Sequence, residues 1–304
     1  MKFSVFQISR QGGREKNEDR MGYCYTKESG IFALADGMGG HPEGEVAAQI
    51  VLQTMFSLYQ KEAIPVIENP KVFLEAAIMT AHRRILQYAA KKHLPDSPRT
   101  TIVAVIVQDG MAYWAHCGDS RLYFVRQGML LARTRDHSYS EQQKSPRFDR
   151  TINIRFNRNV LYTCLGSPSK PIFDITDPMP LQQGDRILLC SDGLWSNIPD
   201  IDIVTQLSEN KVSLVVPQLV DQALTHGGSR SDNVTVVALE WETPDDLFSA
   251  EYGISTATME EGIFSSTLQA AEEDQDLDDL DDEAIERSIA EINEAIRRSA
   301  ARKS

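Results

Sequence analysis

Two apolar segments of the chain each end in an Asp-Gly pair. Residues 31–35 lead into Asp36 within GIFALADGMGGHPEG, and residues 186–191 lead into Asp192. Apolar runs of this length, bounded by turn residues, are typical of buried strands. For one copy alone, a strand-to-helix turn with a capping aspartate is the simpler interpretation. Two copies favour a different prediction, in which buried strands deliver carboxylates to a shared site and the glycines keep the space around them open.

Further acidic residues stand at the ends of other predicted strands. Asp232 precedes the β-branched run of SDNVTVVALEW, and Glu18 lies in REKNEDR near the N-terminus. Hard divalent cations such as Mg²⁺ and Mn²⁺ prefer oxygen ligands. Glu18, Asp36, Asp192 and Asp232 together carry the charge that neutralises two such ions. A pair of ions about 4 Å apart can hold a bridging water, lower its pKa and promote in-line attack at phosphorus.

The charge of the chain is divided unevenly. Residues 243–304 contain 17 acids and 5 bases, a balance of −12, whereas residues 1–242 carry a balance of −1. We therefore predict a body of residues 1–242 and an acidic tail of residues 243–304. Neither part is basic, so the composition does not indicate a nucleic-acid partner.

The sequence offers no sign of a membrane or secreted protein. It has no run of 18 apolar residues, and its first residues lack the apolar stretch of a signal peptide. The four cysteines show no CxxC spacing and mostly lie in apolar runs, as expected of buried thiols. These features predict a cytoplasmic protein without a membrane contact.

The order of predicted elements indicates the fold class. Closely spaced strands joined by hairpins outnumber the few helices, and Asp109-Gly110 and Gln127-Gly128 mark two of the turns. Asn69 followed by Pro70 is typical of a helix start. This order favours antiparallel sheets with helices outside them over a parallel, doubly wound sheet.

Six motifs, in chain order, resemble the metal-dependent protein phosphatase family of type 2C: RxxxED, ALADGMGG, CGDSR, RDHS, LLCSDGLW and SDNVT. The resemblance spans about residues 5–241, and DGMGGHxxGE resembles the form found in bacterial members. It implies an α+β fold of two packed antiparallel sheets flanked by helices on both outer faces. It also implies Mn²⁺- or Mg²⁺-dependent hydrolysis of phosphoserine and phosphothreonine in proteins, by direct water attack and without a phosphoenzyme.

The resemblance assigns metal ligands to the acidic positions. Asp36 is expected to bridge two ions, Glu18 and the Gly37 carbonyl to complete one of them, and Asp192 and Asp232 to complete the other. Asp36 and Asp192 therefore count as catalytic residues in this interpretation.

Three further residues receive roles from the resemblance. Asp119 of CGDSR matches the ligand of a third, weaker ion, although it is explained equally well as a cap of the Gly118 turn. Arg14 matches a catalytic phosphate clamp, and a guanidinium suits bidentate binding of phosphate. Asp19 matches an acid behind the ligands that orients metal-bound water.

The sequence also departs from the family pattern. Met38 occupies the position at which eukaryotic members carry a histidine proposed as the general acid, and His41 is a possible replacement. His137 of RDHS is predicted to be a structural hydrogen-bonding residue. The segment from Arg133 to Arg158 is net +4, which suits either a solvated loop or a surface that attracts acidic or phosphorylated substrates.

The tail carries a separate prediction. Isoleucines recur at helical spacing between about residues 282 and 300, so a short amphipathic helix on a flexible acidic tether is one interpretation and an unstructured tail is the other. The helix would dock a partner or the basic segment. The expected substrates are phosphoproteins, including a Ser/Thr kinase or its targets. The alternative to an enzyme is a non-catalytic module that binds phosphoproteins, and the retention of all four acids argues against it.

Overall fold

The computed structural model of the protein describes residues 1–143, 160–242, 254–255 and 265–267. The strands in this part of the chain are β1 (Lys2–Arg10), β2 (Arg20–Tyr25), β3 (Ser29–Ala35), β4 (Ile102–Gln108), β5 (Met111–Cys117), β6 (Arg121–Arg126), β7 (Met129–Arg133), β8 (Asp174–Ile175), β9 (Met179–Pro180), β10 (Arg186–Cys190), β11 (Val234–Trp241), β12 (Ile254–Ser255) and β13 (Ser265–Ser266). They form two antiparallel sheets. One has the order β12-β1-β11-β10-β6-β7, and the other has the order β13-β2-β3-β4-β5-β8, with β9 also pairing with β5.

Helices cover the outer faces of both sheets. They are α1 (Gly44–Glu62), α2 (Pro70–Lys91), α3 (Tyr139–Gln143), α4 (Asp192–Trp195), α5 (Asp200–Glu209) and α6 (Val212–Gly227), and a 3-10 turn follows at Gly228–Arg230. The predicted start of α2 is confirmed, because the Asn69 side chain accepts a hydrogen bond from the Val72 amide. That bond satisfies one of the amides left unpaired at a helix N-terminus.

Three apolar clusters hold the layers together. One lies between the two sheets and includes Phe32 and Phe124, a second packs α1 and α2 on the β3 sheet, and the third packs α5 and α6 on the β11 sheet. Residues of β4 are buried along its whole length, because this central strand is covered on both faces. The predicted α+β sandwich with helices on both outer faces is therefore confirmed.

The predicted hairpin turns have the expected backbone. Asp109 and Gly110 both have positive φ, of 52° and 66°, and Gln127 and Gly128 have φ of 48° and 79°. Two consecutive positive φ values characterise the type I′ turn, whose twist matches that of antiparallel strands. These turns fix the register of β4 with β5 and of β6 with β7.

The antiparallel register brings the acidic positions to one end of the sandwich. The end of β3 faces the beginning of β2, and the end of β10 faces the beginning of β11. Asp36 follows β3, Asp19 precedes β2, Asp232 lies just before β11, and Asp192 follows β10. Sequence segments more than 200 residues apart thus meet because strand ends and strand beginnings alternate along an antiparallel sheet.

The acidic tail is not wholly separate from the body. β12 pairs with β1, and β13 pairs with β2, so described residues of the tail extend the edges of both sheets. The boundary near residue 242 stays a prediction. The proposed helix between residues 282 and 300 and the basic residues at 144–159 lie outside the described residues. Within the described part, no helix combines the length and apolarity needed to cross a membrane.

Candidate active site

An open cavity of about 540 Å³ lies at the end of the sandwich where the strand ends meet. All the predicted metal ligands and the predicted phosphate clamp line it: Arg14, Glu18, Asp36, Gly37, Asp119, Asp192 and Asp232. Met38, Thr101, Leu161 and Asn233 also contribute to its walls. The structure thus brings the predicted residues together, while their individual roles stay predictions.

The backbone around Asp36 is held by the neighbouring strand β4. Its carbonyl accepts hydrogen bonds from the Thr101 amide at 2.9 Å and the Thr100 hydroxyl at 2.8 Å, and its amide donates to the Thr101 hydroxyl. Gly37 passes so close to Gly44 that an added Cβ would lie 2.5 Å from the Gly44 carbonyl. A side chain at position 37 is therefore excluded by this approach, and Gly37 itself lines the cavity beside Asp36.

The loop that carries Arg14 and Glu18 is organised by Asn233. The Asn233 side chain accepts a hydrogen bond from the Glu18 amide at 2.8 Å and donates two, to the carbonyls of Gln11 and Lys16. Because Asn233 follows Asp232 directly, the Asp232-Asn233 pair both supplies a carboxylate to the cavity and fixes the loop that carries Arg14 and Glu18. Gly193 approaches the same segment, and a Cβ there would lie 2.0 Å from the Asn233 carbonyl.

The carboxylates of the cavity resist ionisation. Burial, reinforced by repulsion from neighbouring acids, raises the pKa values of Asp36 and Asp192 far above their ordinary range. Burial and then repulsion from Asp136 raise the pKa of Asp119 to about 7. The pKa of Glu18 rises to about 7, first through burial and then through Glu45. Such a cluster of oxygens is stabilised as carboxylates when a cation is close, so the donor set fits Mn²⁺ or Mg²⁺.

Asp19 lies behind these ligands rather than in the cavity. Its side chain is 2 % exposed and accepts a hydrogen bond from the Ser191 hydroxyl at 2.8 Å. The same hydroxyl accepts the Thr235 amide, so Asp19 is tied to both β10 and β11. Burial raises the pKa of Asp19 to about 6, against the opposing effect of hydrogen bonds from the Thr235 and Ser191 side chains. This position suits the predicted role in orienting groups bound by the ligands.

Arg14 pairs with a proposed ligand. Its guanidinium lies 2.5 Å from the Asp232 carboxylate, and 55 % of its side chain is exposed. The neighbouring Lys16 forms a second ion pair across the rim, with Glu45 at 2.8 Å. The predicted clamp thus stands at the mouth of the cavity, with its guanidinium directed at the carboxylates.

Asp119 is supported by a buried ion pair and an aromatic ring. The Trp195 indole donates a hydrogen bond to the Asp119 carbonyl at 2.9 Å, and the Arg121 guanidinium stacks 3.7 Å from the ring centroid of Trp195. Arg121 in turn makes two hydrogen bonds to Asp136, at 2.8 and 2.7 Å. A bidentate pair of this kind fixes the orientation of the guanidinium, and through it that of the indole.

Two residues considered as functional have other partners. His41 lies 2.9 Å from Asp96, and Met38, not His41, lines the cavity. In the basic segment, Arg133 pairs with Asp200 at 3.2 Å. The positive charge of Arg133 is therefore partly neutralised within the protein.

Sequence reasoning missed Asn233, Glu45 and Trp195. Their signals are present, since Asn233 lies in SDNVT, Glu45 in DGMGGHxxGE and Trp195 in LLCSDGLW. Their partners are far away in the chain, however, so spacing alone does not indicate what they contact. Leu161, which lines the cavity from the segment after the basic loop, carries no motif at all.

Comparisons with known proteins agree with this geometry. The family model for protein phosphatase 2C matches residues 9–225. The serine/threonine phosphatase Stp of Listeria monocytogenes is 30 % identical over 240 residues, covering 77 % of this chain and 94 % of that protein. The structure of phosphatase Stp1 from Staphylococcus aureus superimposes with a TM-score of 0.68 at 26 % identity, covering 79 % of this chain and 95 % of that chain.

A solved structure with metal is also similar. The catalytic domain of the serine/threonine phosphatase PstP, determined in complex with two manganese ions, has a TM-score of 0.64 and 29 % identity, covering 79 % of this chain and 98 % of that chain. The family model matches well over half of the chain, and the similarity extends over nearly the whole of the Listeria protein. The chain therefore belongs to the protein phosphatase 2C family.

Proposed function

We propose that the protein is a Mn²⁺- or Mg²⁺-dependent phosphatase that hydrolyses phosphoserine and phosphothreonine in proteins. The observation that carries this proposal is the convergence of the five proposed ligand carboxylates in one cavity, four of them with raised pKa values, beside an exposed guanidinium. Carboxylates alone repel a phosphate, whereas carboxylates that hold divalent cations attract it. Both the named relatives and the family match support the same activity.

The residues of the cavity divide into two candidate ligand sets around Asp36. Glu18 and the Gly37 carbonyl lie on one side of the proposed arrangement, and Asp192 and Asp232 belong to the other, with Asp119 as a ligand for a third, weaker ion. Two such ions would lower the pKa of a coordinated water and neutralise charge on the phosphoryl group. The oxygens that would hold them come from four separate strand ends, so the sheets preorganise the site.

Arg14 is proposed to bind the phosphate of the substrate. Its partner here is Asp232, and Asp232 is also a proposed metal ligand. If Asp232 held a metal ion, the Arg14 guanidinium would be able to donate two parallel hydrogen bonds to phosphate oxygens. The glycines at positions 12 and 13 give the preceding chain its close approach to residues 229–232 and place Arg14 at the rim.

The described residues that line the cavity include no histidine, and Met38 has no proton to donate. His41 is engaged by Asp96. We infer that no imidazole from these residues protonates the leaving serine or threonine oxygen.

Asp19 is proposed to keep its carboxylate directed towards the ligands through the Ser191 hydroxyl.

Substrate and location are proposed at a coarser level. Phosphoproteins are the substrates, and a Ser/Thr kinase or its targets are proposed among them. The four cysteines are all buried free thiols, which supports a reducing compartment such as the cytoplasm. Docking of partners through the C-terminal tail stays a proposal.

A single assay tests the proposed function against the alternative of a non-catalytic phosphoprotein-binding module. The full chain is treated with EDTA, and hydrolysis of an aryl phosphate and of a phosphothreonine peptide is then measured with and without added Mn²⁺ or Mg²⁺. We expect no turnover with EDTA and recovery on addition of metal. Full activity in excess EDTA contradicts metal dependence, and peptide binding without turnover in Mn²⁺ supports the non-catalytic module.

A further inference from the structure

Two buried histidines and an aspartate form a cluster outside the carboxylate cavity. His116 lies near the end of β5, His137 follows β7, and Asp174 begins β8, where it pairs with His116 in the sheet register. The two imidazole rings stack with centroids 4.4 Å apart. One ligand atom from each of the three side chains lies within 4.8 Å of the other two. The side chain of Asp174 is 64 % exposed, so the cluster is open to solvent on that side.

His116 has the arrangement of a metal-binding imidazole. Its Nε2 lies 2.8 Å from the Arg135 carbonyl, which only accepts hydrogen bonds, so Nε2 carries the proton. Nδ1 is then a bare lone pair, and no described residue gives it a hydrogen bond although His116 is only 3 % exposed. A histidine that donates one nitrogen to a backbone carbonyl and presents the other to a cation is the usual geometry of metal-binding imidazoles.

The buried lone pair of His116 Nδ1 favours binding of a cation. A buried acceptor without a partner destabilises the folded protein, and coordination of a cation removes this cost. The exposed carboxylate of Asp174 supplies negative charge to the same place.

We propose that His116, His137 and Asp174 form a binding site for a divalent transition metal of the Zn²⁺ class, separate from the carboxylate cavity. Two imidazoles and one carboxylate are ligands that Zn²⁺ prefers, with water completing four-coordination, whereas Mg²⁺ favours an all-oxygen set. The two sites thus differ in ligand chemistry, and each selects its own class of ion.

The proposed site is linked to the cavity through His137 and Gly118. His137 Nδ1 accepts a hydrogen bond from the Gly118 amide at 3.2 Å, and the His137 amide donates to the Gly118 carbonyl at 2.9 Å. Its Nε2 lies 3.3 Å from Asp174. When Nε2 binds a metal, a neutral ring carries its proton on Nδ1, where it faces the Gly118 N–H and cannot accept it. Metal binding therefore breaks one of the two hydrogen bonds that anchor this turn.

Gly118 directly precedes Asp119, which lines the cavity. The turn has little freedom to adjust, because Gly118 has a φ of 109° and its Cβ position lies 2.6 Å from the Thr101 side chain. A strain at Gly118 therefore passes to Asp119, and the Zn²⁺ site and the carboxylate site are coupled. Because coupling free energies are reciprocal, ions in the cavity weaken Zn²⁺ binding at the histidines by the same factor.

Equilibrium dialysis of the full-length protein tests the site without any measurement of activity. Zn²⁺ binding is compared in wild type, Asp174→Asn and the control Asp177→Asn, in a fixed excess of Mg²⁺. Asp177 is a neighbouring exposed acid that pairs with Lys71, outside the cluster. We expect Asp174→Asn to bind one equivalent fewer than wild type, or to bind it at least about tenfold more weakly, while Asp177→Asn matches wild type. Equal Zn²⁺ binding in all three proteins, or equal losses in both variants, overturns the proposal.

A second variant separates the ligand role from an effect on folding. His116→Gln removes the Nδ1 ligand, and circular dichroism reports whether it folds. A folded variant is expected to lose the same equivalent as Asp174→Asn, and retention of that equivalent contradicts the proposal. If His116→Gln fails to fold, the comparison of Asp174→Asn with Asp177→Asn decides the question.

Inhibition adds an arm that rests on the proposed phosphatase activity. Zn²⁺ is expected to inhibit aryl phosphate turnover in saturating Mg²⁺, and Asp174→Asn is expected to raise the half-inhibiting concentration about tenfold relative to Asp177→Asn. Equal inhibition of both variants overturns the coupling between the sites. Absence of all turnover refutes the proposed function instead, and the dialysis result is unaffected by it.

Discussion

Two buried aspartates of similar exposure are expected to respond in opposite directions to the same substitution. Asp119 and Asp136 are each 7 % exposed. Asp136 accepts two hydrogen bonds from Arg121, whereas the pKa of Asp119 is raised to about 7 by burial and by repulsion from Asp136. Asp119→Asn removes a negative charge that has no ion-pair partner among the described residues of the metal-free protein. Asp136→Asn removes a negative charge that Arg121 compensates.

The expected change in the free energy of unfolding for Asp119→Asn follows from the pKa of Asp119. The rise from 3.8 to about 7 means that the ionised side chain destabilises the folded state. At 1.36 kcal/mol per pH unit, this amounts to about 4 kcal/mol at pH 8 and under about 2 kcal/mol at pH 5. The folded protein binds the proton of Asp119 more tightly than the unfolded chain does. The free energy of unfolding therefore falls as the pH rises from the unfolded-state pKa to the folded-state pKa. Asparagine is neutral, so Asp119→Asn is expected to stabilise the metal-free protein, and more so at pH 8 than at pH 5.

Urea denaturation in EDTA at pH 8 and pH 5, followed by tryptophan fluorescence, measures both variants. The full 4 kcal/mol is an upper limit, because the charged side chain attracts solvent and counterions. Asp136→Asn is the matched control and is expected to lose about 3 kcal/mol, since it leaves a buried arginine without its main partner. A lower free energy of unfolding for Asp119→Asn than for wild type at pH 8 in EDTA refutes this reasoning.

Three further predictions concern the cavity and the tail. Arg14→Ala is expected to raise the KM for a phosphopeptide while Mn²⁺ affinity is retained, and steady-state kinetics with a parallel metal titration checks this; a lost metal site instead contradicts the assignment of the clamp. Gly193→Ala is expected to destabilise the fold by about 1–3 kcal/mol in chemical denaturation, because its Cβ would lie 2.0 Å from the Asn233 carbonyl, and an unchanged midpoint argues against this close approach. Deletion of residues 243–304 is expected to leave aryl phosphatase activity intact but to uncover the edges of β1 and β2, so self-association measured by light scattering rises. A monomeric truncated protein with wild-type solubility contradicts the edge-covering role.

The sequence was sufficient for two of the carboxylates because each of them follows a local rule. Asp36 and Asp192 end apolar runs and precede glycines, and such a pattern is visible within a window of ten residues. The hairpins at Asp109 and Gln127 are equally local. Together with the motif order, these features predicted the sandwich and placed the candidate site at one end of it.

Other features depend on contacts that no local pattern contains. Asn233 fixes a loop more than 200 residues away, and Trp195 in α4 donates a hydrogen bond to the carbonyl of Asp119, 76 residues away. The bare Nδ1 of His116 follows from the position of one carbonyl in a different loop. Such details depend on tertiary packing, which hydrophobic periodicity and turn residues do not encode.

A calorimetric titration of Mn²⁺ into the metal-free protein tests the central claim most directly. We predict two equivalents of tightly bound ion for the wild type, because the carboxylates from four strand ends form one dinuclear site, with any third ion binding more weakly. Asp36→Asn is predicted to lose the binding of both ions, since Asp36 is the proposed ligand common to them, and turnover is lost with it. Unchanged binding of two ions by Asp36→Asn contradicts the proposed metal centre.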